Sequence, residues 1–242
     1  MKKIIWLIIV LCGFVLNLQA QRSSVVELSK YAQEEYQGTL YRVRNFHTTQ
    51  DKQPALVIYL HGASGRGDDN TSQMKQGGIK LIEDYLVSHK MNACFIVPQC
   101  PTGYIWAGDP ESPAYIQNLI PLIDYIVKEK KIDKSRIYLL GVSAGGQGIW
   151  KLTAAYPDRF AACLVASGQA IGYQAQDFGK TPFYITVGSE EKNRVPRLSR
   201  WYRELNRSIS DVRFDILQGL GHGEACTQAF TEERLDWIFS HK

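Results

Sequence analysis

Six stretches of the chain are nearly unbroken runs of apolar, β-prone residues: ALVIYLH (55–61), ACFIVPQ (93–99), RIYLLGVS (136–143), FAACLVAS (160–167), PFYITVGS (182–189) and VRFDILQG (212–219). Continuous apolarity, without alternation, predicts strands covered on both faces. TLYRVRNFH (39–47) alternates instead and reads as an antiparallel strand added at one edge. Helical spacing lies between the runs. Ile116, Leu119, Ile120, Ile123, Ile126 and Val127 recur at three- and four-residue steps, a helical run covers 147–156, and an amphipathic stretch covers 227–240. This alternation predicts an α/β fold with a mostly parallel central sheet and helices on both faces. Chemistry in such sheets gathers at the carboxyl ends of the strands.

The first twenty residues stand apart from this pattern. MKKIIWLIIVLCGFVLNLQA carries two lysines, an apolar run over 4–16, a polar step and Ala20, which is the layout of a secretory signal peptide cleaved after Ala20. The run is short for a membrane span, which needs about 20 apolar residues. A lipoprotein signal built on Cys12 fits less well, because Leu11 is bulkier than the residue such signals carry there. The expectation is an exported protein, secreted or periplasmic, without stable membrane insertion, folded as one domain over 21–242.

Removing the leader takes Lys2 and Lys3 with it, so the formal charge falls from +4 to +2. That is too small for a nucleic-acid partner, and no basic stripe with interleaved aromatics is present. The Arg-Gly-Asp triplet in GRGDDN (65–70) reads as a chance match in a turn. Export permits disulfides among Cys94, Cys100, Cys163 and Cys226. Cys94 and Cys163 sit in apolar runs and read as small buried residues, which leaves the loop cysteines Cys100 and Cys226 as the pair to consider. There is no CxxC or HExxH spacing, and the five histidines are scattered. No metal and no cofactor is expected.

Four small residues surround Ser143 in GVSAGG (141–146), directly after a strand-like run and before a helical one. The pattern G-x-S-x-G in that context is a nucleophile elbow, in which a strained strand-to-helix turn projects the serine hydroxyl above the sheet. A serine hydroxyl needs a base. His222, between Gly221 and Gly223 after the last strand, is the best placed; His61 ends a strand and reads as structural. The base needs a carboxylate to fix its tautomer, and in this architecture the acid precedes the histidine in the chain. Glu190 and Glu191 follow the fifth of the continuous runs, only one of them can point inward, and Glu191 is preferred. Asp177 and Asp215 are weaker alternatives. An oxyanion would take one backbone donor from Ala144 and another from the glycine-rich loop after residues 55–61.

With these residues in place, the chain resembles the α/β-hydrolases over nearly all of residues 21–242. It is more narrowly similar to secreted esterases grouped around feruloyl esterases, polyhydroxybutyrate depolymerases and phospholipase/carboxylesterase-like predicted peptidases. The likeness rests on YLHGASGRGDDN, VPQCP with downstream Trp106, KIDKSRIYLLGVSAGGQGIW, YPDRFAACLVASG and VPRLSRWYREL. It implies Ser143 as nucleophile, His222 as base and the amides of Ala63 and Ala144 as oxyanion donors. The family's acid is usually an aspartate in a G-x-x-D segment ahead of Val-Pro; here Gly188-Ser-Glu-Glu191 puts glutamate there, one residue further from Val195-Pro196. The implied activity is a serine esterase using a Ser-His-Glu triad on acetyl or feruloyl esters of plant polysaccharides or on related small esters. Trp106 and Tyr104 are then either substrate contacts or ordinary packing. A catalytically inactive carbohydrate- or protein-binding descendant and a serine peptidase are the alternatives.

Overall fold

Burial on both faces makes the continuous runs strands. β3 (Ala55–Leu60), β4 (Ala93–Pro98), β5 (Ile137–Val142), β6 (Ala162–Ala166) and β7 (Phe183–Gly188) are buried at every position. β8 (Val212–Leu217) is only partly covered, as the last strand of the sheet. The computed structural model describes residues 26–47 and 52–242. The leader expected over 1–20 lies outside the described residues.

β1 (Ala32–Tyr36) and β2 (Thr39–Phe46) complete a sheet ordered β1-β2-β4-β3-β5-β6-β7-β8. The strands from β4 to β8 in that order pair in parallel, and β1 and β2 are antiparallel. The alternating stretch 39–47 is therefore antiparallel, as its pattern predicts, but not at the edge. β1 lies outside it. The sequence AQEEY is exposed at four of its five positions and so carries no apolar signal. Its glutamates also suit an edge, since charged side chains there discourage pairing with another chain.

Among the described residues, six α-helices flank the sheet: α1 (Gly77–Ser88), α2 (Leu119–Glu129), α3 (Ala144–Ala155), α4 (Val195–Leu205), α5 (His222–Gln228) and α6 (Glu232–Phe239). Alternate residues of each strand feed two cores. On one face Leu56, Ile58 and Leu60 meet Leu122 and Ile126 of α2, Ile149 and Trp150 of α3, and Leu205 of α4. On the other face Val57 and Tyr59 meet Ile82 and Leu86 of α1 and Leu235 and Ile238 of α6. Each such aliphatic side chain contributes about 1.5–3 kcal/mol through burial. The amphipathic stretch 227–240 is not one helix. Buried Phe230 packs against the Tyr59 ring, and extended Thr231 starts α6 afresh.

All four described cysteines are free thiols. Cys100 packs in the core on one face of the sheet and Cys226 against the core on the other, so the pairing considered for them does not form.

Candidate active site

β5 ends at Val142 and α3 begins at Ala144, leaving Ser143 to make the whole turn at φ 52°, ψ −115°. A non-glycine residue held there costs on the order of 1–3 kcal/mol, so the surroundings must impose it. The Ser143 N–H donates to the Ala166 carbonyl at 2.8 Å, and the Ser143 carbonyl accepts from Gln147 N–H at 3.0 Å to start the helix. A Cβ on Gly145 would lie 2.0 Å from the Leu60 carbonyl oxygen. The small residues around Ser143 therefore let α3 press its first turn onto the end of β3.

The Ser143 hydroxyl lies 2.9 Å from Nε2 of His222. His222 is the first residue of α5, and its ring is held by Glu191, whose Oε2 is 2.6 Å from Nδ1. A carboxylate at Nδ1 selects the tautomer with the proton there, which leaves Nε2 free to accept from Ser143. The structure thus brings together the three residues singled out from sequence.

Glu191 follows β7 and is almost wholly buried. Its Oε1 accepts from the Ser167 hydroxyl at 2.5 Å and from the Gly188 N–H at 3.0 Å, and its Oε2 also faces Arg194 Nη1 at 3.3 Å. Burial alone would raise its pKa. The donors from Ser167, the Gly188 amide and His222 outweigh burial and hold the carboxyl below the usual glutamate range. Glu190 is exposed on the same loop. Asp177 closes a turn by accepting from Gln174 N–H, and Asp215 pairs with Tyr184 and Arg234. Neither touches His222.

Ala63 and Ala144 each open a helical turn, where a backbone N–H has no partner within the helix. Neither amide is engaged among the described residues. Gly62, beside Ala63, is so near the elbow that a Cβ placed on it would lie 3.6 Å from the Ser143 Cβ.

His61 and Trp106 build the support of this loop. The buried His61 ring accepts from Cys100 N–H at 3.0 Å, and its Nδ1 lies 2.6 Å from the Gly62 carbonyl. Burial lowers its pKa to about 4 and keeps it neutral. Trp106, considered as a substrate contact, is 1% exposed; its indole N–H donates to the His61 carbonyl at 3.0 Å and its ring packs on His61 and Tyr115. It offers no surface to a ligand, which corrects that expectation in favour of packing. Tyr104 keeps 38% exposure, edge-on to Tyr115. Sequence reasoning missed Ser167, although it stands at the end of a recognised strand, where chemistry gathers.

No protein-family model matches the chain. Among solved structures, a thermostable esterase superposes with a TM-score of 0.79 at 22% identity, over 88% of this chain and 64% of that one. Together with the sheet order above, that superposition settles the fold. The chain has the α/β-hydrolase fold. A ferulic acid esterase structure also superposes on it, with a TM-score of 0.67 at 16% identity over 87% of this chain and 96% of that one. At these identities the likeness is one of fold. In sequence, feruloyl esterase B of Thermothelomyces thermophilus is 29% identical over 140 residues, 55% of this chain and 45% of its own length. The chain spans about half the length of the curated relatives it matches.

Proposed function

We propose that the protein is a serine carboxylic-ester hydrolase working through an acyl-enzyme. The observation that carries this reading is the continuous contact from Glu191 through His222 to a serine on a strained elbow. Ser143 Oγ attacks the ester carbonyl carbon while His222 Nε2 takes its proton. The resulting oxyanion is met by the N–H groups of Ala63 and Ala144. Collapse of this intermediate expels the alcohol, which leaves with the proton from His222. Water then attacks the acyl group on Ser143, giving its proton to His222; collapse breaks the bond to Ser143 Oγ, which takes that proton back, and the acid product departs. Glu191 stays ionised throughout and stabilises the imidazolium.

The substrates are acyl esters of the acetyl or feruloyl class, carried on plant polysaccharides or small alcohols. Similarity to feruloyl esterase B and to a ferulic acid esterase supports this class. Tyr104, still partly exposed, is the aromatic available to such a group. Residues 1–20 export the protein to the outside or the periplasm, and residues 21–242 form one catalytic domain.

A fluorophosphonate probe should label the wild type and leave Ser143→Ala unlabelled, and a panel of acetyl, feruloyl and p-nitrophenyl esters should then give the acyl preference. Undiminished labelling of the alanine variant would overturn the nucleophile. A folded wild type that never labels would favour the non-catalytic binding protein.

A further inference from the structure

A cavity of about 230 Å³ opens beside Ser143 and runs down the face of the sheet covered by α1 and α5. One wall is His222 and the α5 residues that follow it, including Thr227; the other is Ser64, Gln76 and the first residues of α1, Gly77 and Gly78. Tyr59, from inside β3, lines its floor and is 1% exposed. Its hydroxyl has no hydrogen-bond partner among the described residues, and it sits 3.4 Å from where a Gly78 Cβ would be. That hydroxyl opens onto the cavity, so its hydrogen bond is made to whatever occupies the space. Gly77 and Gly78, whose N–H groups open α1 and so have no partner within the helix, line the same wall. The cavity therefore holds donors awaiting an acceptor.

Which part of an ester reaches them follows from the proton route. His222 Nε2 must hand its proton to the leaving oxygen, so the alcohol lies against His222, and His222 and Gly223 line this cavity opposite the oxyanion loop of Gly62 and Ala63. The charge of the alcohol follows from the lining. No Lys, Arg, Asp or Glu is among the residues that line it, while Ser64, Gln76 and Thr227 supply both donors and acceptors. A neutral, hydroxyl-bearing group matches such a mixture, and the volume limits it to a small polyol or one sugar unit.

Resting on the esterase reading above, we infer that this cavity is the leaving-alcohol subsite, that it selects a small neutral hydroxylated alcohol, and that the Tyr59 hydroxyl is its specificity-determining donor. Burial of Tyr59 raises its pKa well above the ordinary tyrosine value, so the hydroxyl remains a donor.

The test compares the full chain with Tyr59→Phe on hydroxyalkyl acetates and on alkyl acetates of matched length. Fluorophosphonate labelling of both proteins comes first. The wild type should favour the hydroxylated member of a matched pair in kcat/KM, and Tyr59→Phe should reduce that preference about tenfold, the worth of one hydrogen bond. Thermal unfolding should show the variant at least as stable as the wild type, because the lost hydroxyl has no partner in the protein. Labelled proteins with equal preference would overturn the subsite and leave the esterase reading standing. Absence of labelling in the folded wild type would overturn both. A preference found only among ω-hydroxyacyl p-nitrophenyl esters would assign the cavity to the acyl group and overturn the leaving-alcohol assignment.

Discussion

The Ser167 hydroxyl donates to Oε1 of Glu191 at 2.5 Å, opposite the oxygen that meets His222. Ser167 is itself held at φ 54°, with its N–H on the Thr186 carbonyl at 2.8 Å, so it too sits on a strained strand end. The two ends of β6 and β7 thus hold one carboxylate between them. A shorter aspartate after Gly188 would reach less far towards both Ser167 and His222. That reach gives a physical reason for glutamate at this place.

Removing the Ser167 hydroxyl should free the carboxylate to turn and so loosen His222. Ser167→Ala and Ser167→Gly are each expected to lower kcat about tenfold with little change in KM, consistent with loss of one hydrogen bond to a charged group. Glycine also relaxes the positive φ, whereas alanine keeps the strain. Equal kinetic losses in the two variants would assign the effect to the missing donor. Wild-type kcat in both would show that Ser167 does not position the acid.

Glu191→Gln should lower ester turnover by up to about 10⁴-fold while the elbow and its amides stay in place. Glu190→Gln should do far less, because Glu190 is exposed and its near neighbour is Ser189 Oγ at 3.4 Å. Steady-state kinetics of the two folded variants beside the wild type decide between the neighbours. If the Glu190 variant proves the crippled one, the acid has been assigned one residue too late.

The lowered pKa of Glu191 also has a consequence for stability. A carboxyl held below its ordinary value of 4.5 adds stability that is fully present above that value and is lost as the pH falls through the depressed one. The stability difference between wild type and Glu191→Gln should therefore be flat from neutrality down to about pH 5 and shrink only below it. Denaturant unfolding of both proteins across that range measures it. A difference that shrank instead between pH 5 and 7 would mean the carboxyl is raised, with burial outweighing its donors.

Much of this site is legible along the chain because its parts are local. Gly141 to Gly145 carry the elbow in five residues, and Glu191 and His222 each follow a strand that apolar runs reveal. Ser167 escaped because its role depends on a partner 24 residues away, and a lone hydroxyl leaves no periodicity. β1 escaped for the opposite reason, since an exposed AQEEY strand is defined by its pairing with β2 and not by an apolar pattern. Trp106 was visible as an aromatic beyond a strand end, but the direction of its ring is set by His61, from another strand. Sequence locates side chains along the chain; the sheet decides which of them meet.

The glycines of the site separate into two physical kinds, which stability measurements can tell apart. A Cβ on Gly145 would meet the Leu60 oxygen at 2.0 Å and the Leu60 carbonyl carbon at 2.5 Å, and these are backbone atoms of a central strand that cannot step aside cheaply. Gly145→Ala should destabilise by about 3 kcal/mol or more, the upper range for overpacking a core, and should also displace Ser143. Gly223 is the second residue of α5; a Cβ there meets nothing within 4 Å and its φ is not in the left-handed region. Gly223→Ala should be neutral or stabilise by up to about 1 kcal/mol, since alanine is the better helix former. Denaturant unfolding of the two variants beside the wild type reads both signs. A Gly145→Ala protein as stable as the wild type would mean that α3 does not press on β3 as the structure has it.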